Sequence, residues 1–449
     1  MTIRRFTYFL LTASLLACNF LTSKLAPLTA RLYPLTPAYI PPSCQSSALA
    51  TIPASTALAK PTPELEANPE ISHALQERVF QETVNIIDNV YVYPDFNGKD
   101  WQTIVLSTKA QIDAGVNTET FYTDIESMVT QLGDDHSHFE SPVEVAQSKA
   151  ELSGINQYVG VGISVLPQPD KNQATIISVF HGSPAEHEGL KPHDSILAVD
   201  GLPIAKDGKS YLYLARGPEC SAAVLTVKSP GQAPRQVILV RQQIASPEPI
   251  DASLIPTTNG SHIGYILIPT FFDETIPKQI SEALNNFGHL DGLILDNRMN
   301  TGGSSDVLIP TLSYFTSGVL GEFKGRNEAR ALTIDPNPIQ NSQEVPLVVL
   351  VGTGTVSYGE VFSGVLQDSG RAKIVGQTTL GNVETLYGYN FDDGSDIWIA
   401  QETFDPAHSH ANWEATGIIP DVQAYADWDT FTLDNDPSVA AALTIFKHK

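Results

Sequence analysis

Apolar positions change their period three times along this chain. Between about Pro69 and Val145 they recur at helical spacing: "ISHALQERVFQETVNIIDNVYVYP" places Leu75, Val79, Val84, Ile87 and Val90 three to five residues apart. "TFYTDIESMVTQL" repeats the pattern with Phe121, Ile125, Met128, Val129 and Leu132, then runs into the polar turn "GDDHSHF". From about Glu151 to Ile244 the segments "YVGVGISVLP", "ATIISVF", "DSILAVDGLPI", "AAVLTVKS" and "RQVILVRQQ" predict short strands around one helix-like stretch, "SPAEHEGL". From about Ser261 to Val422 strands and helices alternate. "GYILIPT", "GLILDNR", "PLVVLVG", "AKIVG" and "DIWIAQE" predict strands; "IPKQISEALNNF", "SDVLIPTLSYF" and "YGEVFSGVLQ" predict helices. Such alternation implies an α/β core with a covered, largely parallel sheet, and ligands in such sheets bind beyond the carboxyl ends of the strands. The loops after "GLILDNR" and "PLVVLVG" lie at those ends.

A chain of 449 residues has room for about two to four domains of ~100–200 residues each. The pattern divides it into a leader (1–18), a flexible linker (19–66), a helical region (67–150), a β domain (151–245), the α/β core (246–430) and a C-terminal helix or tail (431–449). The linker stands out by its Ala, Pro, Thr and Ser content with few charges. A formal charge of −24, spread without like-charge blocks, argues against a nucleic-acid partner. The N-terminus "MTIRRFTYFLLTASLLACNF" has Arg4 and Arg5 before an apolar run from Phe6 to Leu16, short of the ~20 residues that span a bilayer. It reads as an export signal. "LLAC" resembles the bacterial lipoprotein cleavage box with Cys18 as the acylated residue, which would anchor the chain to the cell envelope or surface; a plain signal peptide and an uncleaved anchor are the alternatives. The remaining cysteines, Cys44 in a Pro/Ser-rich stretch and Cys220 in a turn, are expected to form no bridge.

Two loops carry candidate chemistry. "RMNTGGSSD" sets Gly302 and Gly303 just before a helix, leaving backbone N–H groups open as an oxyanion site needs. "GTGTVSYGE" sets Ser357 at a helix start, where a serine can be a simple N-cap or a nucleophile. The G-x-S-x-G elbow is not met, because Thr355 stands where its first glycine should be. A serine nucleophile needs a base, either a downstream lysine or a distant histidine. The two His-x-His pairs, at 136/138 and 408/410, have no carboxylate or cysteine at ligand spacing, so neither metal nor organic cofactor is expected.

Gly160-Val161-Gly162-Ile163, "SPAEHEGLKPHDSILAVDG" and "LARGPE" closely resemble a PDZ domain. That resemblance implies a Gly160–Ile163 turn that receives a peptide's C-terminal carboxylate while the peptide adds a strand. With it, the series "DNRMNTGG", "GTGTVSYGE", "IVGQTTLGN", "FDDGSDIWIA" and "WEATGIIPD" resembles the tail-specific, or C-terminal processing, serine peptidases over roughly residues 70 to 425. The resemblance implies a crotonase-like α/β catalytic core and endopeptidase activity on protein or peptide substrates. It makes Ser357 the nucleophile and the backbone of Gly302, Gly303 and Tyr358 the oxyanion donors. The common branch has a lysine base in "T-x-G-K", but "TTLGNVE" holds Asn382 there, and an amide cannot take a proton. The chain is more similar to a tricorn-type branch with a Ser-His-Glu set, which maps the base onto His136 rather than His138, the acid onto Glu414, and an orienting partner onto Asp135 or Ser137. Asp296 and Arg298 read as a structural ion pair. Two other readings stay open: a ligand-binding relative without catalysis, and an esterase using Ser357, Asp396 and His410.

Overall fold

The computed structural model describes residues 39–45, 67–134, 136–154, 158–245, 247–258 and 260–447. The leader and Cys18 lie outside the described residues, as do Asp135 and most of the linker. Among the described residues no helix is long and apolar enough to cross a membrane.

Three helices, His73–Val90, Trp101–Asp113 and Thr118–Thr130, open the described fold. Each begins where a side chain can satisfy a free N–H: Ser72, Asp100 and Asn117 accept from Leu75, Thr103 and Thr120. The apolar stripe on these helices packs onto Phe391, Ile397, Ile399 and Ala400 of the core. The short strand His138–Glu140 then joins an antiparallel sheet in the order His138–Glu140, Asp396–Pro406, Gly318–Gly325, Ala329–Ile334, with Thr385–Asn390 also on Asp396–Pro406. The segment "DIWIAQE", expected in the parallel sheet, therefore belongs to a second sheet. Its alternating burial is what a sheet with one wet face requires.

The main sheet is six-stranded: Asp251–Ile255, Ile263–Leu267, Gly292–Asp296, Leu347–Val351, Ala372–Gly376 and Val422–Gln423. Its first pair is antiparallel and the rest are parallel. The central strands are buried throughout, matching their unbroken Leu/Ile/Val runs. Helices Ile276–Phe287, Ser305–Ser313 and Tyr358–Asp368 cover one face. The other face packs on the C-terminal helix Pro437–Lys447 and on Trp428 and Phe431.

The β domain is built on Arg235–Val240, Ala222–Lys228, Ser195–Val199, Gln173–Val179 and Ile163–Gln168, in that order. Tyr158–Gly160 pairs with Gln242–Ile244, so the chain enters and leaves this domain side by side, as an insertion requires. The domain rests on the C-terminal segment: His193 Nδ1–H donates to the Trp428 carbonyl at 2.8 Å, and Trp428 Nε1–H donates to Ile176 at 3.0 Å.

Contrary to the expectation for the two cysteines, Cys44 and Cys220 form a disulfide, with Cα atoms 5.3 Å apart. They are separated by 176 residues in sequence, so only the folded β domain could reveal the approach. Tyr39 stacks on His187 at 3.8 Å, and its N–H donates to Glu188 at 2.7 Å. Residues 39–45 are thus fastened to the β domain, unlike the free tether read from composition.

Candidate active site

The Tyr358–Asp368 helix starts beyond the carboxyl end of a central parallel strand, and Ser357 sits at its first corner. The chain contains ordinary serine caps for comparison. Ser72, Ser183 and Ser304 have extended backbones (φ −69°, −80° and −99°), and each side chain accepts an N–H of the first turn. Ser357 differs: φ is 56° and ψ is −127°. Capping does not need that conformation, and a non-glycine residue there is strained. Glu360, fully buried, holds the corner from inside. Its carboxylate accepts from Thr379 (2.5 Å), Gly381 (2.8 Å), Asn382 (2.8 Å) and, at 3.3 Å, the Ser357 N–H. Burial pushes the Glu360 carboxyl above its usual value, while the four donors act against that shift.

The glycine pair lies over this corner. A methyl group on Gly302 would come within 2.8 Å of Ser357 Cβ and 3.1 Å of the Tyr358 nitrogen, and one on Gly303 within 2.1 Å of the Phe271 backbone. Gly302 also has a positive φ of 93°. The Gly302 N–H is engaged by Asn300 Oδ1 at 2.9 Å. Among the described residues, the Gly303 and Tyr358 N–H groups donate to no protein acceptor, so these two are the open donors. Gly302 contributes clearance above the serine instead.

His136 and Glu414, far apart in sequence, meet: Nε2 lies 3.5 Å from Glu414 Oε1. A residue not singled out from the sequence joins them. Glu384 Oε2 is 3.4 Å from the same nitrogen, and its Oε1 accepts from the Tyr93 hydroxyl. Its only sequence signal is its place two residues after Asn382 in "TTLGNVE". Burial and the neighbouring Glu414 charge push the Glu384 carboxyl up to about 7. Burial opposes charge on His136, but the Glu414 hydrogen bond and both carboxylate charges outweigh it, leaving its pKa above the usual imidazole value. Asp134 shapes the turn by accepting the N–H groups of His136 (3.0 Å) and Ser137 (2.8 Å). The Ser137 hydroxyl goes to Asp134 and the Ala400 N–H, and so sets the backbone rather than the ring. His138 Nδ1–H is spent on the His136 carbonyl at 2.8 Å.

Ser357 and His136 are connected through three consecutive residues. The Asn382 carbonyl accepts the Ser357 N–H (2.8 Å), the Val383 N–H donates to Glu414 Oε2 (2.8 Å), and Glu384 faces His136. Among the described residues no hydrogen bond joins Ser357 directly to His136. Asp296 and Arg298 do form the buried ion pair, at 2.9 Å from Nε to Oδ1, with Asp436 as a second partner. The esterase set is not assembled. Asp396 begins an eleven-residue strand, roughly 30 Å long at the usual rise, and His410 lies beyond its other end, where, exposed, it pairs with Asp405 instead.

In the β domain, the Val161 and Gly162 N–H groups donate to no protein acceptor, and Ile163–Gln168 pairs on one side only, with Gln173–Val179. An α/β core with a strained serine below a glycine pair, carrying a β domain with an open strand edge, defines the class: a hydrolase of the serine peptidase type. Residues 262–424 match the model of peptidase family S41, and residues 150–208 that of the PDZ domain. The chain thus carries a peptidase family S41 region and a PDZ region, and it is similar to carboxyl-terminal-processing serine peptidases. It is 28% identical over 353 residues to the carboxyl-terminal-processing protease of Synechocystis sp., covering 77% of this chain and 80% of that one. It is also 28% identical over 359 residues to carboxyl-terminal-processing peptidase 2, chloroplastic, of Arabidopsis thaliana, covering 76% and 68%. The solved photosystem II D1 C-terminal processing protease superposes with a TM-score of 0.55 at 25% identity, covering 81% and 96%. The tricorn protease shares the fold at a TM-score of 0.50 and 15% identity, over 84% of this chain and 37% of that one.

Proposed function

We propose that this chain is an exported serine endopeptidase in which Ser357 is the nucleophile, His136 its base and Glu414 the partner that holds the imidazole. The observation that carries the reading is the Ser357 backbone at φ 56°, pressed beneath Gly302, where the caps Ser72, Ser183 and Ser304 are relaxed. In the first step Ser357 Oγ bonds to the carbonyl carbon of the scissile peptide as its proton passes to His136. The oxyanion that forms is held by the N–H groups of Gly303 and Tyr358. The carbon–nitrogen bond then breaks, His136 returns the proton to the leaving amine, and an acyl-enzyme remains. Water repeats the sequence and frees the acid. Asn382 takes no proton; its backbone ties the 379–382 loop to the serine.

The PDZ domain supports a preference for substrates with free C-terminal tails. The N–H groups of Val161 and Gly162 suit a terminal carboxylate, and the open edge of Ile163–Gln168 suits an added strand. Export is supported by the leader and, independently, by the Cys44–Cys220 disulfide, since such bridges persist in oxidising compartments. Cys18 is the residue that a lipid anchor would modify.

A covalent serine-directed probe tests the catalytic reading. Labelling should fall on residue 357 and vanish in Ser357→Ala together with cleavage of an unfolded protein. A chain that binds peptides but neither labels nor cleaves would be a ligand-binding relative. Labelling elsewhere would remove Ser357 from its role.

A further inference from the structure

We propose that His136, Glu384 and Glu414 form a zinc site that switches the peptidase off by occupying its base; the inhibitory part rests on the reading of His136 given above. The three side chains come from separate parts of the chain, and their ligand atoms lie within 4.8 Å of one another. His136 Nε2 is 3.4 Å from Glu384 Oε2 and 3.5 Å from Glu414 Oε1. A tetrahedral zinc with bonds of about 2.0–2.1 Å has ligand-to-ligand edges of about 3.3–3.4 Å, which the two spacings from His136 nearly match.

The second observation concerns the atom aimed inward. The Glu384 side chain is 1% exposed, and its Oε2 has no hydrogen-bond partner. A buried carboxylate oxygen without a donor is costly, and a cation removes that cost. The atoms that would not ligate are already held from outside: Glu384 Oε1 by the Tyr93 hydroxyl, and Glu414 Oε2 by the Val383 N–H. Such outer contacts fix carboxylate ligands in metal sites. Three protein ligands leave a fourth position for water, and Glu414, 20% exposed, marks the open side. One imidazole with two carboxylates favours zinc over magnesium or calcium, which prefer all-oxygen sets. A zinc ion here takes the His136 lone pair, so the serine proton has nowhere to go. Chelation restores the base.

Binding and inhibition are measured separately. The full chain carrying Ser357→Ala, stripped with a chelator, is titrated with Zn2+ by calorimetry and with Co2+ by visible absorption. One ion per chain is expected, with the intense bands of four-coordinate Co2+. Tyr93→Phe in that background should weaken binding roughly tenfold or more, the usual cost of losing an outer contact. Glu384→Gln and Glu414→Gln should each weaken it further, with folding checked by thermal melting. No binding, or binding unchanged in all three variants, overturns the site and leaves the peptidase reading intact. On the wild-type chain, Zn2+ should suppress cleavage and a chelator should restore it. Zinc held by these residues without loss of cleavage overturns the inhibitory role and removes His136 as the base.

Discussion

Ser357 and His136 are tied to their places by backbone contacts that a side-chain truncation leaves intact, so their chemistry can be tested apart from the fold. His136→Ala should lower cleavage about as far as Ser357→Ala, on the order of 10⁴-fold, as when any member of a catalytic set that acts as a unit is lost. His138→Ala removes only the donor to the His136 carbonyl and should cost far less. Equal losses in the two histidine variants, measured as kcat/KM on one peptide, would assign the base wrongly. Asn382 engages the serine through its carbonyl and Glu360 through its N–H, both retained in Asn382→Ala. That variant should stay within about tenfold of wild type, or ~1.4 kcal/mol in the barrier. A collapse of activity would mean that the Asn382 amide itself contacts the reacting groups.

At the scale of elements, the glycine loop and the serine helix must meet at bare-backbone distance. Gly302→Ala would force the two apart, since its new carbon would lie 2.8 Å from Ser357 Cβ at a φ of 93°. We expect kcat to fall ~10²–10³-fold, the usual cost of spoiling one oxyanion donor, while thermal stability changes much less. Near-normal turnover by this variant would show that the loop moves freely and that the clearance is not needed. Much of this layer was legible beforehand. "IPKQISEALNNF" became the helix Ile276–Phe287 and "AKIVG" the strand Ala372–Gly376, because periodicity and capping residues act locally. "DIWIAQE" was placed in the wrong sheet because strand partners are chosen by tertiary packing, which its local pattern does not record.

Across the whole molecule, the disulfide and the PDZ contact with the C-terminal segment hold the parts in register. Cys44→Ser, or reduction, removes a closure spanning 176 residues and should destabilise the PDZ unit by ~2–4 kcal/mol. Melting curves with and without reductant should then separate for the wild type and coincide for the variant; identical wild-type curves would make the bridge inert. His193 is buried between the PDZ domain and Trp428, and burial holds its pKa below the usual imidazole value. With the folded value depressed, the unfolded chain binds the proton more readily. Stability is therefore complete above the unfolded pKa of about 6.5 and declines as pH falls below it. Buried Asp296, its pKa lowered by Arg298 against the effect of burial, adds a loss at still lower pH through the same linkage. A His193 variant that keeps the packing, such as His193→Phe, should flatten the decline between about pH 6.5 and 5; an unchanged profile would assign it to other groups.

The order of helical, β and α/β regions, the serine at a helix start, the glycine pair before another, and the missing lysine were all determined by sequence, since each depends on neighbours a few residues away. The Asp296–Arg298 pair was readable for the same reason, with its members two residues apart. Other features were decided only when the chain folded. The strain at Ser357 exists because Glu360 and Asn382 hold that corner. Glu384 reached His136 because the strand it leads into, Thr385–Asn390, lies in the same antiparallel sheet as the His138–Glu140 strand. Cys44 found Cys220 because the PDZ domain turned its 216–221 loop toward the incoming chain. Contacts between residues distant in sequence leave no local trace, because it is the packing of whole elements that brings them within a few ångströms.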